Sequence, residues 1–372
     1  MTAVSEPKRI LHFISSHGLY GAEQIMLTLA KRFNDQRYRT IVGVLDHGLT
    51  PRNELVERAK SEGLKTITIK SHGRFDVSSI GQLLSVIKKE NIRLLHTHNY
   101  KSNAIGWITA RLAGIPVVAT AHGFTDVTRA VSFYERLDRF FLKFFFDRVV
   151  VVTPKILDRW NSPKKRLITN GLDIERFNLP RSAGLEIRKR FGIAADDFVI
   201  GTIGRLSREK NQRLLLQAVR DILKNNSKVK ILLVGDGPEK ENLERFAGDN
   251  GISGRVFFSG LVSDPAPFYQ AMDIFVLSSE TEGIPLVILE AMAAMVPVVA
   301  TSVGGVPEIL SHEETGILVP AASPGELNNA LNGLINDELR RKRLVQNAYE
   351  ILKERFSLVS MCERYRRLYE EL

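Results

Sequence analysis

Short, continuous apolar runs alternate with segments of helical periodicity from one end of this chain to the other. In the first half the runs are Ile10–Ser15, Thr40–Leu45, Lys65–Ile69, Arg93–His96, Val117–Ala121, Arg148–Val152 and Leu167–Thr169. Between them, Gly21–Phe33, Ile80–Glu90 and Lys101–Ala113 repeat their apolar residues at helical spacing. Val/Ile/Leu runs without polar alternation predict strands buried on both faces, hence a parallel sheet covered by helices. The series pauses at Asn178-Leu179-Pro180-Arg181-Ser182-Ala183-Gly184, which predicts a linker. It restarts with Phe198–Ile203, Val229–Val234, Val256–Ser259, Ile274–Leu277, Val298–Thr301 and Gly316–Val319. The pattern predicts an α/β protein of two doubly wound, Rossmann-like domains, residues 1–180 and 181–356, facing a central cleft. From Leu327 to Leu372 the periodicity is helical, without a strand candidate.

Composition narrows the class. The chain has 372 residues, 44% hydrophobic and 25% charged, which suits two soluble globular domains. No stretch approaches the ~18 apolar residues of a membrane span. The apolar run Ile10–Ile14 is too short for a signal-peptide core, so a cytoplasmic location is expected. A single cysteine, Cys362, excludes an intrachain disulfide and a cysteine metal cluster. The net charge of +10 is unevenly spread: residues 1–180 hold 28 Lys+Arg against 16 Asp+Glu, and residues 181–372 hold 24 against 26. A basic first half suits a phosphorylated acceptor or an anionic membrane surface. No zinc-finger, basic-zipper or RNA-recognition signature is present, and no nucleic-acid partner is expected.

The candidate chemistry lies in the second half. In Thr281-Glu282-Gly283-Ile284-Pro285-Leu286-Val287-Ile288-Leu289-Glu290, Pro285 sits where it would open a helix, since the first turn does not need its missing N–H. Glu282 then stands just before a helix N-terminus and Glu290 more than a turn inside it. Such carboxylates accept hydrogen bonds from hydroxyl-rich ligands, while free first-turn N–H groups hold an anion. A nucleotide-sugar carries both groups. Upstream, Gly204-Arg205-Leu206-Ser207-Arg208-Glu209-Lys210-Asn211 follows a strand and opens a helix, so that Arg205 and Lys210 suit a diphosphate. Gly235 and Gly237 form a tight turn after another strand, without the third glycine of a dinucleotide fingerprint. In the first half, Gly18 and Gly21 bracket a loop that starts a helix.

Taken in order, these motifs closely resemble the donor-binding signature of retaining glycosyltransferases of the GT-B fold, family-4 type. The resemblance spans nearly the whole chain. It implies that Glu290 meets the ribose hydroxyls, that Glu282 meets the transferred sugar, and that Arg205 and Lys210 clamp the leaving diphosphate. Gly204, Gly235, Gly237, Gly283, Ile284 and Leu286 join the donor site, with Gly304, Gly305 and Glu308 in the adjacent turn. It also implies that His122, in Thr120-Ala121-His122-Gly123-Phe124, sits beside the anomeric carbon, and that residues 357–372 form a helix crossing back to the first domain. Tyr20, Asn99 and Lys101 are placed on the acceptor side. Two departures stand out: Tyr20 replaces the first of two adjacent glycines, and Met295 replaces a helix-ending glycine.

The implied reaction moves a sugar from a nucleoside-diphosphate sugar to a hydroxyl acceptor with retention of anomeric configuration. No Asp-x-Asp occurs, so no catalytic metal or other cofactor is expected and the cations Arg205 and Lys210 stabilise the departing charge. Two rivals share the donor site: a sugar-nucleotide epimerase, which needs acid/base groups on both faces of the sugar, and a non-catalytic nucleotide-sugar-binding protein. The aromatic helix expected at Phe133–Arg148 either rests in a bilayer interface or fills a core. With the basic first half it favours a carbohydrate or lipid-linked acceptor, as in surface polysaccharide assembly, and a peripheral place on the membrane.

Overall fold

The computed structural model describes residues 6–16, 18, 21–48, 53–71, 76–121, 142, 145–152 and 162–372. The chain divides into two compact units, Met1–Asn170 with Met361–Leu372, and Gly171–Ser360. The first holds β1 (Lys8–Ile14), β2 (Tyr38–Asp46), β3 (Lys65–Lys70), β4 (Leu94–Thr97), β5 (Val117–Ala121), β6 (Arg148–Val151) and β7 (Lys165–Leu167). They form one parallel sheet in the order β3-β2-β1-β4-β5-β6-β7. The second unit holds β8 (Phe198–Ile203), β9 (Val229–Val234), β10 (Val256–Phe258), β11 (Ile274–Leu277), β12 (Val298–Thr301) and β13 (Ile317–Val319). Its parallel order is β10-β9-β8-β11-β12-β13. The strand order reverses at β1/β4 and at β8/β11. Loops leaving the carboxyl ends of those strands open a crevice at each reversal.

The apolar runs are strands because both sheet faces are covered. In β8, Val199 packs into one core and Ile200 into the opposite one, each fully buried. The runs read at Arg93–His96 and Leu167–Thr169 are displaced to Leu94–Thr97 and Lys165–Leu167 by register with their neighbours, Leu95 facing Val117 and Lys165 facing Val149. Helices start where a side chain relieves the first turn: Asn53, Asp76 and Asn99 cap the helices Glu54–Ser61, Val77–Lys89 and Tyr100–Ala113.

The aromatic helix expected at Phe133–Arg148 lies outside the described residues except for Leu142 and Phe145–Arg148. Leu142 and Phe146 are buried in the first unit's core, and Phe145 packs on Trp107 with ring centroids 4.7 Å apart. Its carboxyl end is therefore a core element. Among the described residues no helix is long and apolar enough to cross a membrane.

The units divide at Asn170–Gly171, whereas the pause in the strand series suggests 180/181. Asn178–Gly184 is packed into the second unit. A Cβ on Gly184 would lie 2.1 Å from the Gln270 carbonyl oxygen, so this glycine lets the helix Arg181–Arg190 approach the end of the helix Ala266–Gln270. The chain's two crossings run side by side instead: Leu172 donates to the Phe356 carbonyl at 2.7 Å and Leu358 to the Leu172 carbonyl at 2.8 Å. From Met361 the helix Leu358–Glu370 belongs to the first unit, the crossing back that the family resemblance implied. Buried Tyr369 places its hydroxyl 2.7 Å from His96 Nδ1, and His96 Nε2 lies 2.7 Å from Thr120 Oγ1, which meets the Tyr365 hydroxyl at 3.1 Å. Ion pairs Arg366–Asp35, Arg37–Glu370 and Arg148–Glu371 rim the contact.

Candidate active site

At the β8/β11 reversal, two loops are laced together. The loop after β8 carries Gly204, Arg205 and a short 3-10 turn, Arg208–Lys210. Asn211 follows with a left-handed φ of 46° and caps the helix Gln212–Asn225. Lys210 therefore sits ahead of that helix, not in its first turn. The loop after β11 runs from Ser278 to Pro285. Glu280 N–H donates to the Glu209 carbonyl at 2.8 Å, Ser278 Oγ to the Lys210 carbonyl at 3.1 Å, and Asn211 Nδ2 to Glu280 Oε1 at 3.2 Å.

This lacing brings Lys210 Nζ to 2.7 Å from Glu282 Oε1. Ser279 Oγ donates to the same oxygen at 2.6 Å, and Ser279 is itself fixed by Thr301 Oγ1 on its carbonyl at 2.6 Å. The Glu282 side chain is 7% exposed, and a carboxylate so enclosed needs such partners. Arg205 is exposed, with no hydrogen bond or ion pair from its guanidinium among the described residues. Its backbone carbonyl is held by Gln212 Nε2 at 2.9 Å. The backbone at Arg205 is thus tied to the helix Gln212–Asn225 while its guanidinium stays exposed.

Glycines make the backbone approaches possible. A Cβ on Gly235 would lie 2.0 Å from the Gly204 carbonyl oxygen, and one on Gly237 2.3 Å from that of Leu206. On the other flank a Cβ on Gly304 would lie 1.8 Å from the Glu282 carbonyl oxygen. Gly305 N–H donates to the Gly283 carbonyl at 2.9 Å, and Glu308 lies in the first turn of the helix Val306–Ile309. Only glycine fits such contacts.

Pro285 caps the helix Leu286–Ala293, and no side chain bonds its first turn. Ile284 packs on the core, Leu286 is exposed, and Glu290 projects from the helix. Burial pushes the Glu290 carboxyl above its usual range, opposed by a hydrogen bond from Tyr269 and by the Arg176 charge. The Tyr269 hydroxyl donates to Glu290 Oε2 at 2.8 Å. Sequence reading missed both Tyr269 and Ser279. Tyr269 lies in a short helix ahead of β11, and nothing in its local pattern signals a contact 21 residues downstream.

The first unit differs. His122 and Tyr20 lie outside the described residues. Gly18 forms a bend whose carbonyl accepts from Ser16 Oγ, and Gly21 opens the helix Gly21–Arg32. Asn99 is a structural cap: Oδ1 accepts from Ser102 N–H at 3.1 Å and Nδ2 donates to the Ser15 carbonyl at 2.8 Å. Lys101 sits beside it in the first turn, half-buried. Among the described residues, His12, His96 and His98 cluster closely enough to suggest metal ligands. Both nitrogens of His96 are engaged by Thr120 and Tyr369, and the His96 and His98 rings lie 4.2 Å apart, which suits hydrogen-bonded packing better than convergence on one ion. Burial pushes His12 down to about 3, so it is neutral.

Residues 185–351 match the family model "Glycosyl transferases group 1", and residues 20–176 match "Glycosyltransferase Family 4". The UDP-Gal:alpha-D-GlcNAc-diphosphoundecaprenol alpha-1,3-galactosyltransferase of Escherichia coli is 29% identical over 311 residues, 80% of each chain. The N-acetyl-alpha-D-glucosaminyl L-malate synthase of Bacillus anthracis is 29% identical over 308 residues, again 80% of each. Among solved structures, that of Anabaena Alr3699/HepE in complex with UDP superposes with a TM-score of 0.85 at 23% identity, covering 98% of this chain and 100% of that one.

Proposed function

The chain belongs to the glycosyltransferases of the GT-B fold, family-4 type, and from that premise we propose that it transfers a sugar from a nucleoside-diphosphate sugar to a hydroxyl acceptor with retention. The observation that carries the reading is the juxtaposition of Lys210 and Glu282 at the β8/β11 crevice, 2.7 Å apart, with Arg205 on the same loop. A cation and an acid in contact match the two halves of one ligand, a diphosphate and a polyhydroxylated ring. Lys210 and Arg205 receive the diphosphate, Glu282 the hydroxyls of the sugar, and Glu290 those of the ribose. Gly204, Gly235, Gly237 and Gly283 let backbone come close to the ligand.

In the reaction, the bond from the anomeric carbon to the leaving phosphate oxygen breaks. The acceptor oxygen bonds to that carbon on the same face, and the acceptor's proton passes to the departing phosphate. Lys210 and Arg205 stabilise the charge that develops there, which is where preorganised donors lower a barrier most. Because the chain lacks Asp-x-Asp, these cations are assigned the part a metal would play, and turnover is expected to persist in excess EDTA. His122 is assigned to the sugar side. The acceptor we propose is a lipid-linked or polysaccharide precursor, in line with the diphosphoundecaprenol substrate in the E. coli relative's name and with the basic first half.

The test is a screen of nucleotide-sugars, UDP-sugars first, for thermal stabilisation and slow donor hydrolysis, with NMR of the released anomer. Stabilisation by one donor and initial release of the retained anomer are expected. Release of the inverted anomer, or epimerised donor without transfer, would overturn the reading.

A further inference from the structure

We infer that Tyr269 is a positioning residue for nucleotide recognition: its buried hydroxyl pins one oxygen of Glu290, so that the other is presented to the ribose diol. This rests on the assignment of Glu290 to the ribose. Tyr269 has no exposed surface, and its ring is wedged between Phe177 and Phe275 at centroid distances of 6.0 and 5.5 Å. From the helix Ala266–Gln270 the hydroxyl reaches the helix Leu286–Ala293, lying 2.8 Å from Glu290 Oε2 and 3.2 Å from the Val287 carbonyl.

The geometry does more than fill space. The ring is fixed by its packing between Phe177 and Phe275, and its single hydroxyl proton goes to Glu290 Oε2, the nearer acceptor, with the Val287 carbonyl at 3.2 Å as the competing one. The carboxylate is thereby held at Oε2 by a donor on a fully buried ring. Oε1 accepts no hydrogen bond among the described residues, so it is the oxygen left to meet a ligand. A carboxylate free to rotate would spend part of its binding energy on ordering itself, which preorganisation avoids.

Charge follows from the same contact. Three groups act on the Glu290 carboxyl besides its burial: Tyr269 and Arg176 lower its pKa, and Asp264, ion-paired to Arg176 at 3.1 Å, raises it. An acceptor for two hydroxyls must be ionised. Removing the Tyr269 hydroxyl raises the carboxyl further, so nucleotide affinity is lost at a higher pH as the solution is acidified.

Tyr269→Phe keeps the ring between Phe177 and Phe275 and removes the hydroxyl alone. The measurement is calorimetric affinity for UDP and for 2′-deoxy-UDP, across pH, in wild type, Tyr269→Phe, Glu290→Gln and the double variant, with the thermal midpoint recorded for each. Wild type is expected to prefer UDP by on the order of tenfold. Tyr269→Phe should lose most of that preference and shift the acid limb of UDP binding upward, and the double variant should lose no more than Glu290→Gln alone. A Tyr269→Phe variant with wild-type preference and pH profile, while Glu290→Gln loses its preference, overturns this inference only. Wild-type preference in Glu290→Gln, or no UDP binding by wild type, overturns the donor reading beneath it.

Discussion

The two units share a sheet topology, yet the same position in each has been put to different use. At the β8/β11 reversal the loops are joined largely through backbone and small polar groups, across glycines that tolerate no Cβ, and they bring Lys210 against Glu282 with Arg205 exposed on the same loop. At the β1/β4 reversal, among the described residues, Asn99 and the buried histidines are engaged in structural hydrogen bonds. Asn99 caps a helix and ties down the Ser15 carbonyl, while His12, His96 and His98 are buried and His96 is bonded to Tyr369 of the C-terminal helix. The contrast teaches that the same topology offers a crevice in each unit, and that the side chains its loops bring there differ.

The strongest way to break that contrast is to remove the cations of the loop after β8. Lys210→Ala and Arg205→Ala should each lower kcat by on the order of 10²–10³, as loss of a preorganised charge-stabilising donor does. Steady-state kinetics with a competent donor checks this, and wild-type turnover in both would end the clamp assignment.

Second in size is a glycine of the lacing. Gly304→Ala places a Cβ against the Glu282 carbonyl at a left-handed φ of 54°, and should cost ~1–3 kcal/mol in chemical denaturation while weakening donor binding. An unchanged midpoint and affinity would mean that the loop has room the structure denies it.

The first unit should respond differently. Tyr369→Phe loses the hydroxyl's bond to His96 and is expected to destabilise by ~1–2 kcal/mol, with kcat changed less than twofold. A large fall in kcat at full stability would show that this buried cluster reaches the chemistry after all.

The smallest effect belongs to Met295. It ends its helix with a φ of 59°, the left-handed conformation that costs an L-residue ~1–2 kcal/mol and glycine nothing. Met295→Gly recovers that cost less glycine's entropy, so a gain of up to ~1 kcal/mol is expected by thermal denaturation.

What was legible in the sequence follows from the same physics. Parallel strands buried on both faces leave continuous apolar runs, so β8, β9, β11 and β12 could be read off to the residue. Lys210, Glu282 and Glu290 can be singled out in the sequence because their motifs are local. The unit boundary was not legible, because Pro180 and Gly184 look like linker residues until the approach of Gln270 explains the glycine. Nor was the Lys210–Glu282 contact, which spans 72 positions and exists only through lacing of two loops. Tyr269 was hidden for the same reason.

The central claim is that one ligand is divided between the two glutamates, its ribose at Glu290 and its sugar at Glu282. Calorimetry with UDP and with the competent UDP-sugar, on Glu290→Gln and Glu282→Gln, tests it most directly. Glu290→Gln should weaken both ligands alike, by on the order of tenfold. Glu282→Gln should weaken the UDP-sugar only, and free UDP should bind equally or tighter, since Lys210 is released from its 2.7 Å pair to meet the diphosphate. Equal losses of both ligands in both variants would contradict the division.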